Sequence, residues 1–275
     1  MTSLMGIRTA FIGGGVMAEA ILRGLLRQGL AAPGDLVAAD PLAERRAWLA
    51  RELGIGVTAA NAEAAQGAQV VVLAVKPQAL GQALASLQGQ IAADALVFSI
   101  VAGATLRAIV TGLGVGAVVR VMPNTPGQIG EGISVWTATP ATSELQRQRA
   151  QAVLGALGAA IYTQDEGDLD KATALSGSGP AYVFLFIEAL ADAGVRMGFS
   201  RAVAEQLALQ TVRGAAIYAQ TTGEHLAILR NRVTSPAGTT AEALHAFEEG
   251  GLRAVVSRAV MAAYHRAQAL GELKQ

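Results

Sequence analysis

Short runs of nearly unbroken apolar residues alternate with amphipathic runs through the first half of the chain. The β-rich runs are Ile7–Gly13 (IRTAFIG), Leu36–Asp40 (LVAAD), Gln69–Val75 (QVVVLAV), Ala95–Ile100 (ALVFSI) and Ala117–Met122 (AVVRVM). Between them, apolar residues recur at helical spacing over Val16–Gln28, Leu42–Leu53, Gln78–Leu87 and Leu106–Leu113. Strands that lack polar alternation are buried on both faces, which predicts a parallel sheet covered by helices. Right-handed crossovers then wind the sheet doubly. Two further strands, Ile133–Thr137 and Ala159–Thr163, flank a helix over Ser143–Leu157.

The texture changes near Asp165, beyond which no strand pattern appears. Helical runs follow over Asp168–Ala174, Ala181–Met197, Arg201–Thr221, Glu224–Arg232, Thr240–Glu248 and Leu252–Leu270. The pattern predicts two domains, 1–164 and 165–275, with the seam at Asp165–Gly167. The helical half is apolar nearly all round. Leu185, Phe186, Ala189, Leu190, Leu207, Leu209, Val212, Ala216, Ile217 and Val260 exceed what one face of a compact bundle needs. This predicts an interleaved homodimer through Pro180–Leu270.

Composition narrows the partners. At 275 residues and 52% hydrophobic, with only 15% charged, the chain can bury a core and is not expected to be disordered. Lys+Arg and Asp+Glu are both 21, so the basic footprint of a nucleic-acid or anionic-membrane binder is missing. With no cysteine, disulfides, Cys-held zinc, Fe–S clusters and thiol catalysis are excluded. His225, His245 and His265 stand far apart in no ligand pattern, so a protein-held transition metal is not expected. The uncharged stretches Ala95–Leu106 and Pro180–Ile187 fall short of the roughly 20 residues of a membrane span. The N-terminal MTSLMGIRTAFIGGG lacks a basic region and a cleavage site and runs into a strand–turn pattern. A soluble, cytoplasmic protein is expected.

Gly13-Gly14-Gly15-Val16-Met17-Ala18, with Ile12 before it, follows the first strand and opens the first helix, and fits G-x-G-x-x-[GA]. The first glycine permits a tight turn, the second lets the backbone approach a pyrophosphate, and Ala18 allows close helix–strand contact. The phosphates would meet the helix N-terminus, where unpaired amides favour anions. The fold class read from this is α/β, an N-terminal Rossmann-type doubly wound sheet followed by an all-helical domain. Asp40 ends the second strand 25 residues after Gly15, where an acid would bond the adenosine ribose and favour NAD(H). Arg45 and Arg46 follow, and either pair with a 2′-phosphate or form a solvated helix face, so the cofactor preference stays open. The strand over Gln69–Val75 leads through Ala74-Val75-Lys76-Pro77, which would border the ligand crevice. Asn61 opens a short helix, as a cofactor contact or as a cap.

Arg232-Val233-Thr234-Ser235-Pro236-Ala237-Gly238-Thr239-Thr240-Ala241-Glu242-Ala243-Leu244 closely resembles the signature of the pyrroline-5-carboxylate reductase family. The Gly13–Ala18 turn, AVKPQ at Ala74–Gln78, MPNTP at Met122–Pro126 and SGSGPAY at Ser176–Tyr182 occur in that family's order and spacing. The resemblance covers essentially the whole chain. Two departures are Val16, where many members carry a polar residue, and Ala237, where many carry a second glycine. The resemblance implies reduction of 1-pyrroline-5-carboxylate to L-proline, the last step of proline biosynthesis, with NADP(H) or NAD(H). It implies that the Ser235 hydroxyl and the Gly238 and Thr239 amides hold the substrate carboxylate. Thr240, the catalytic candidate, would contact the ring nitrogen. It also implies homodimers that assemble into a larger ring of dimers. The residues agree in part, because a turn at Ser235–Gly238 leads into a helix whose first amides suit a carboxylate.

Other classes fit the residues less well. Gly177-Ser178-Gly179 does not make a serine nucleophile elbow, because the position two before Ser178 is Ser176. The SGSGPAY segment instead lets a helix approach the nicotinamide. β-Hydroxyacid dehydrogenases resemble this architecture but place a lysine where Val183 stands. A non-enzymatic NAD(P)H-binding regulator would carry a damaged substrate loop, and Ser235, Gly238 and Thr240 are intact.

Overall fold

The structure is a computed structural model that describes residues 3–272, with side chains described through residue 270. Met1 and Thr2, which begin the N-terminal segment, lie outside the described residues. The chain divides into two compact units, Met1–Ser178 with Ala263–Gln275, and Gly179–Ala262.

The first unit holds an eight-stranded sheet: β1 (Thr9–Ile12), β2 (Leu36–Ala39), β3 (Gly56–Thr58), β4 (Val70–Leu73), β5 (Leu96–Ser99), β6 (Val118–Met122), β7 (Gly132–Ala138) and β8 (Gly158–Tyr162). Its order is β3-β2-β1-β4-β5-β6-β7-β8. The first six strands are parallel, as predicted. β7 runs antiparallel to β6, with Met122 opposite Val135. The link from Met122 to Gly132 is too short to cross over the sheet, so the chain turns back on itself. β8 returns parallel to β7. β3 has no counterpart in the sequence reading, because three residues (GVT) make no detectable apolar run.

Alternate strand residues feed two cores. Phe11, Ala38, Val72, Phe98 and Val121 pack with Ile21, Leu25, Leu49 and Leu154. These come from α1 (Val16–Arg27), α2 (Ala43–Leu53) and α6 (Glu144–Gly155). Ala10, Ile12, Val37, Val71, Leu73 and Val97 pack on the other face with Ala64, Leu87 and Ile109. Those belong to α3 (Asn61–Ala65), α4 (Leu80–Leu87) and α5 (Leu106–Leu113). Burial on both faces is why the strands read as continuous apolar runs.

α7 (Asp168–Ala172) continues through a π-helical turn at Thr173–Gly177 into α8 (Gly179–Arg196). The sequence pattern predicts a break at SGSG and no segment long enough to span a membrane. The π turn instead joins the two parts into one helical run, Asp168–Arg196, long and apolar enough to cross a bilayer by length and composition. The second unit continues with α9 (Arg201–Thr222), α10 (Leu226–Arg232), α11 (Thr239–Glu249) and the start of α12 (Leu252–Glu272). Its own buried core is small: Ala191, Ala204 and Ala208, with Ile187 and Leu190 against them. Phe184, Leu185, Leu207, Leu209 and Ile217 stay exposed.

Candidate functional site

β1 ends in the glycine turn, and close packing explains two of its three glycines. Gly13 has φ +96°, and a Cβ there would meet the Ala74 carbonyl oxygen at 2.7 Å. A Cβ on Gly14 would meet Leu49 Cδ1 at 2.7 Å. Gly15 faces open space and caps α1 with no side-chain partner. An uncapped helix start beside an open glycine is a cradle for a pyrophosphate, so the residues present fit the dinucleotide. Ile12 is buried, while Val16 is 60% exposed beside the turn. Met17 packs against the core below it.

Asp40 stands at the end of β2 as predicted, and its carboxylate has a further task. Oδ2 accepts the Gly14 amide at 2.9 Å and Oδ1 accepts the Leu42 amide at 2.9 Å. A carboxylate holding two amides fixes the second glycine in place. Arg45 serves the same turn. Its Nε donates to the Gly14 carbonyl, its guanidinium pairs with Glu19 at 2.7 Å, and it lies 4.5 Å over the Trp48 ring. Arg46 donates to the carbonyls of Asp40 at 2.7 Å and Pro41 at 2.9 Å. Arg45 is therefore bound to the glycine turn, and Arg46 to the end of β2 just before its own helix, rather than both forming a solvated helix face. No sequence spacing could have found the Arg45 bond, because it joins α2 to a residue 31 positions earlier. Glu19 would oppose an incoming phosphate from the first turn of α1. Partial burial alone would raise its pKa. Hydrogen bonds from Arg23 and Arg45 outweigh that, so the carboxyl titrates below its ordinary value and its charge is balanced.

Asn61 is the first residue of α3 rather than its cap, and its amide donates to Ser86 Oγ at 2.9 Å. Ala74 and Val75 leave β4 half-buried, and Pro77 opens a short 3-10 turn. Lys76 is exposed and has no carboxylate partner among the described residues. A cleft of about 340 Å³ at the carboxyl ends of β4 and β5 is lined by Pro77, Gln78, Gly103, Ala104 and Thr105, among others.

In the second unit, Ser235–Gly238 form a tight turn closed by the Gly238 amide on the Ser235 carbonyl at 3.0 Å. That amide, expected to hold substrate, is engaged inside the turn. Gly238 caps α11 without a side-chain bond, and the Thr239 and Thr240 amides have no partner among the described residues. Thr240 is half-buried and Ser235 is exposed. Ala237 has φ +56°, the single positive φ outside glycine among the described residues. A left-handed residue there is what a turn with proline before it reserves for glycine or asparagine.

In the middle of β6, Arg120 is buried. It pairs with Glu166 at 2.8 Å and Asp170 at 3.3 Å. Glu166 also accepts the Leu106 amide at 2.8 Å, tying the start of α5 to the same cluster. The sequence reading passes over Arg120, whose one trace is a lone charge inside an apolar strand.

The pyrroline-5-carboxylate reductase dimerisation domain matches residues 166–270, and the NADP oxidoreductase coenzyme F420-dependent domain matches residues 8–103. A pyrroline-5-carboxylate reductase of Synechocystis sp. is 44% identical over 98% of this chain and 100% of its own length. The solved structure of a pyrroline-5-carboxylate reductase from Coxiella burnetii superposes with a TM-score of 0.90 at 36% identity, covering 98% of this chain and 99% of that one. Plasmodium falciparum pyrroline carboxylate reductase, solved with NADP bound, superposes with a TM-score of 0.87 at 30% identity, covering 96% and 98%.

Proposed function

The chain belongs to the pyrroline-5-carboxylate reductase family, and from that premise we infer that it reduces 1-pyrroline-5-carboxylate to L-proline with NAD(P)H. The observation that carries the reading is the intact loop Ser235–Thr240, which heads α11 with the Thr239 and Thr240 amides unpartnered. Bound NAD(P)H supplies the hydride that adds to the C=N carbon. The chain's own task is positioning. Ile12–Met17 cradle the pyrophosphate, Asp40 faces the adenosine ribose, and Asn61 and Ala74–Pro77 border the crevice. Ser235 and Thr239 hold the substrate carboxylate, through the Ser235 hydroxyl and the Thr239 amide at the start of α11, while Gly238, its own amide engaged, shapes the turn before them. The Thr240 hydroxyl contacts the ring nitrogen, where it donates to or accepts from the atom whose charge changes.

The reading includes a homo-oligomer built on the helical segment, a homodimer at least, with a ring of dimers as its larger form. It also includes the division into a nucleotide-binding domain over 1–164 and a helical domain over 165–275, and a cytoplasmic location.

The test separates binding from chemistry. An interaction stronger in the transition state raises kcat, whereas uniform binding lowers KM. Thr240→Val lowers kcat by about 5- to 150-fold, the loss of one such hydrogen bond. Ser235→Ala mainly raises the KM for pyrroline-5-carboxylate. Neither changes NAD(P)H affinity in a fluorescence titration. Full kcat and full substrate affinity in Thr240→Val would make the loop a structural cap and overturn the assignment.

A further inference from the structure

The run SGSGP reads as a helix breaker, yet the chain keeps a helical course there, through a π turn over Thr173–Gly177 and a bend at Ser178 that leads into α8. The Ser178 amide donates to the Thr173 carbonyl, five residues back, at 2.8 Å. A π turn inserts one residue into the helical repeat. Thr173 and Ser176 donate their hydroxyls to the carbonyls of Leu169 at 2.7 Å and Ala172 at 3.0 Å, which supports the widened turn.

The turn is seated on β6. A Cβ on Gly177 would lie 2.6 Å from Met122 Cε, closer than real contacts allow, so the bare glycine makes room for Met122. Arg120, two residues earlier, lies on the same side of the strand. It reaches Glu166 and Asp170, just before the turn. The segment therefore grips one face of β6 at two points. Met122 also begins the Met122–Pro126 motif. In this strand order the dinucleotide lies across the carboxyl ends. An adenosine half at β1 and β2 leaves the nicotinamide half at β4–β6.

We propose that Gly177 and Met122 are positioning residues for hydride transfer: the π turn brings Gly177 onto Met122 while Arg120 holds Glu166 and Asp170, which sets the β6 end against the nicotinamide. The proposal rests on the reductase reading above.

The experiment uses the full chain and three variants, Gly177→Ala, Met122→Ala and the double variant, each checked by circular dichroism and thermal melting. Gly177→Ala is expected to lower kcat about tenfold, the cost of a sub-ångström displacement. NADPH affinity should stay unchanged while the primary deuterium isotope effect from 4-deuterated NADPH increases. The fluorescence lifetime of NADPH bound without substrate should shorten, because the ring is held less firmly. Met122→Ala is expected to lower kcat only about two- to threefold, since Arg120 still grips the strand. The double variant should return to the Met122→Ala level in rate and lifetime. Unchanged isotope effect and lifetime in Gly177→Ala would overturn the proposal. So would a natively folded double variant that shows no rescue. If Gly177→Ala does not fold, Met122→Ala decides, and an unchanged isotope effect there overturns the proposal. A wild-type chain that binds NADPH but does not reduce pyrroline-5-carboxylate overturns the reductase reading and this proposal together, and is told apart by the wild-type assay alone.

Discussion

In the first unit, β1, β2, β4 and β5 are buried at every residue. In the second, Phe184, Leu185, Leu207 and Leu209 on α8 and α9 are between 51% and 66% exposed. Both regions are rich in aliphatic residues, so the difference is geometric. A sheet flanked by helices covers both of its faces from within one chain. Two long helices and a few short ones cover one stripe of each other and leave the rest for another surface. The dimerisation domain matched at residues 166–270 spans this exposed face. The first unit thus buries its apolar faces within one copy, and the second leaves an apolar face uncovered.

The largest way to break this contrast is to charge the exposed face. Leu185→Glu should weaken self-association by about a hundredfold or more and leave the glycine-turn unit folded. Sedimentation velocity and near-ultraviolet circular dichroism check the two halves of that outcome. A wild-type mass of 28.1 kDa at micromolar concentration would remove the premise.

Next comes the ion cluster that closes the first unit. Arg120→Met leaves Glu166 and Asp170 without their cation and should cost about 3 kcal/mol, read from urea unfolding. If the loss is as large in the Leu185→Glu variant as in the wild-type chain, the first unit holds itself together, as the contrast requires.

A smaller effect falls at Asp40. Asp40→Ser removes a charge beside the ribose position and an acceptor for the Gly14 amide. Binding of NADPH relative to NADH should improve about tenfold, while both bind more weakly than their best case because the turn loses its brace. An unchanged ratio of dissociation constants would mean that Asp40 serves the turn alone.

The smallest effect belongs to Ala237. Replacing it with glycine relieves a left-handed residue and should stabilise the folded loop by about 1 kcal/mol, seen as a higher melting temperature. A glycine that lowers the melting temperature would show the turn to be unstrained.

Much of the fold and of the candidate site is legible in the sequence alone, because local chemistry suffices for it. Apolar runs reveal buried strands, and the order strand, triple glycine, helix reveals the tight turn with its uncapped helix start. The Ser235–Thr240 motif points to a carboxylate site by resemblance and by its helix start. The local sequence determined these because each depends on residues within one or two turns of one another. The features that the tertiary structure decided depend on distant partners. The direction of β7 follows from a link too short to cross the sheet. The bonds from Asp40 and Arg45 to Gly14 unite residues far apart in sequence. The π turn reads as a breaker because Ser176–Gly179 is poor in helix formers. The helix widens there into a π turn whose Gly177 lies against Met122 of β6, a partner distant in sequence that local propensity does not register.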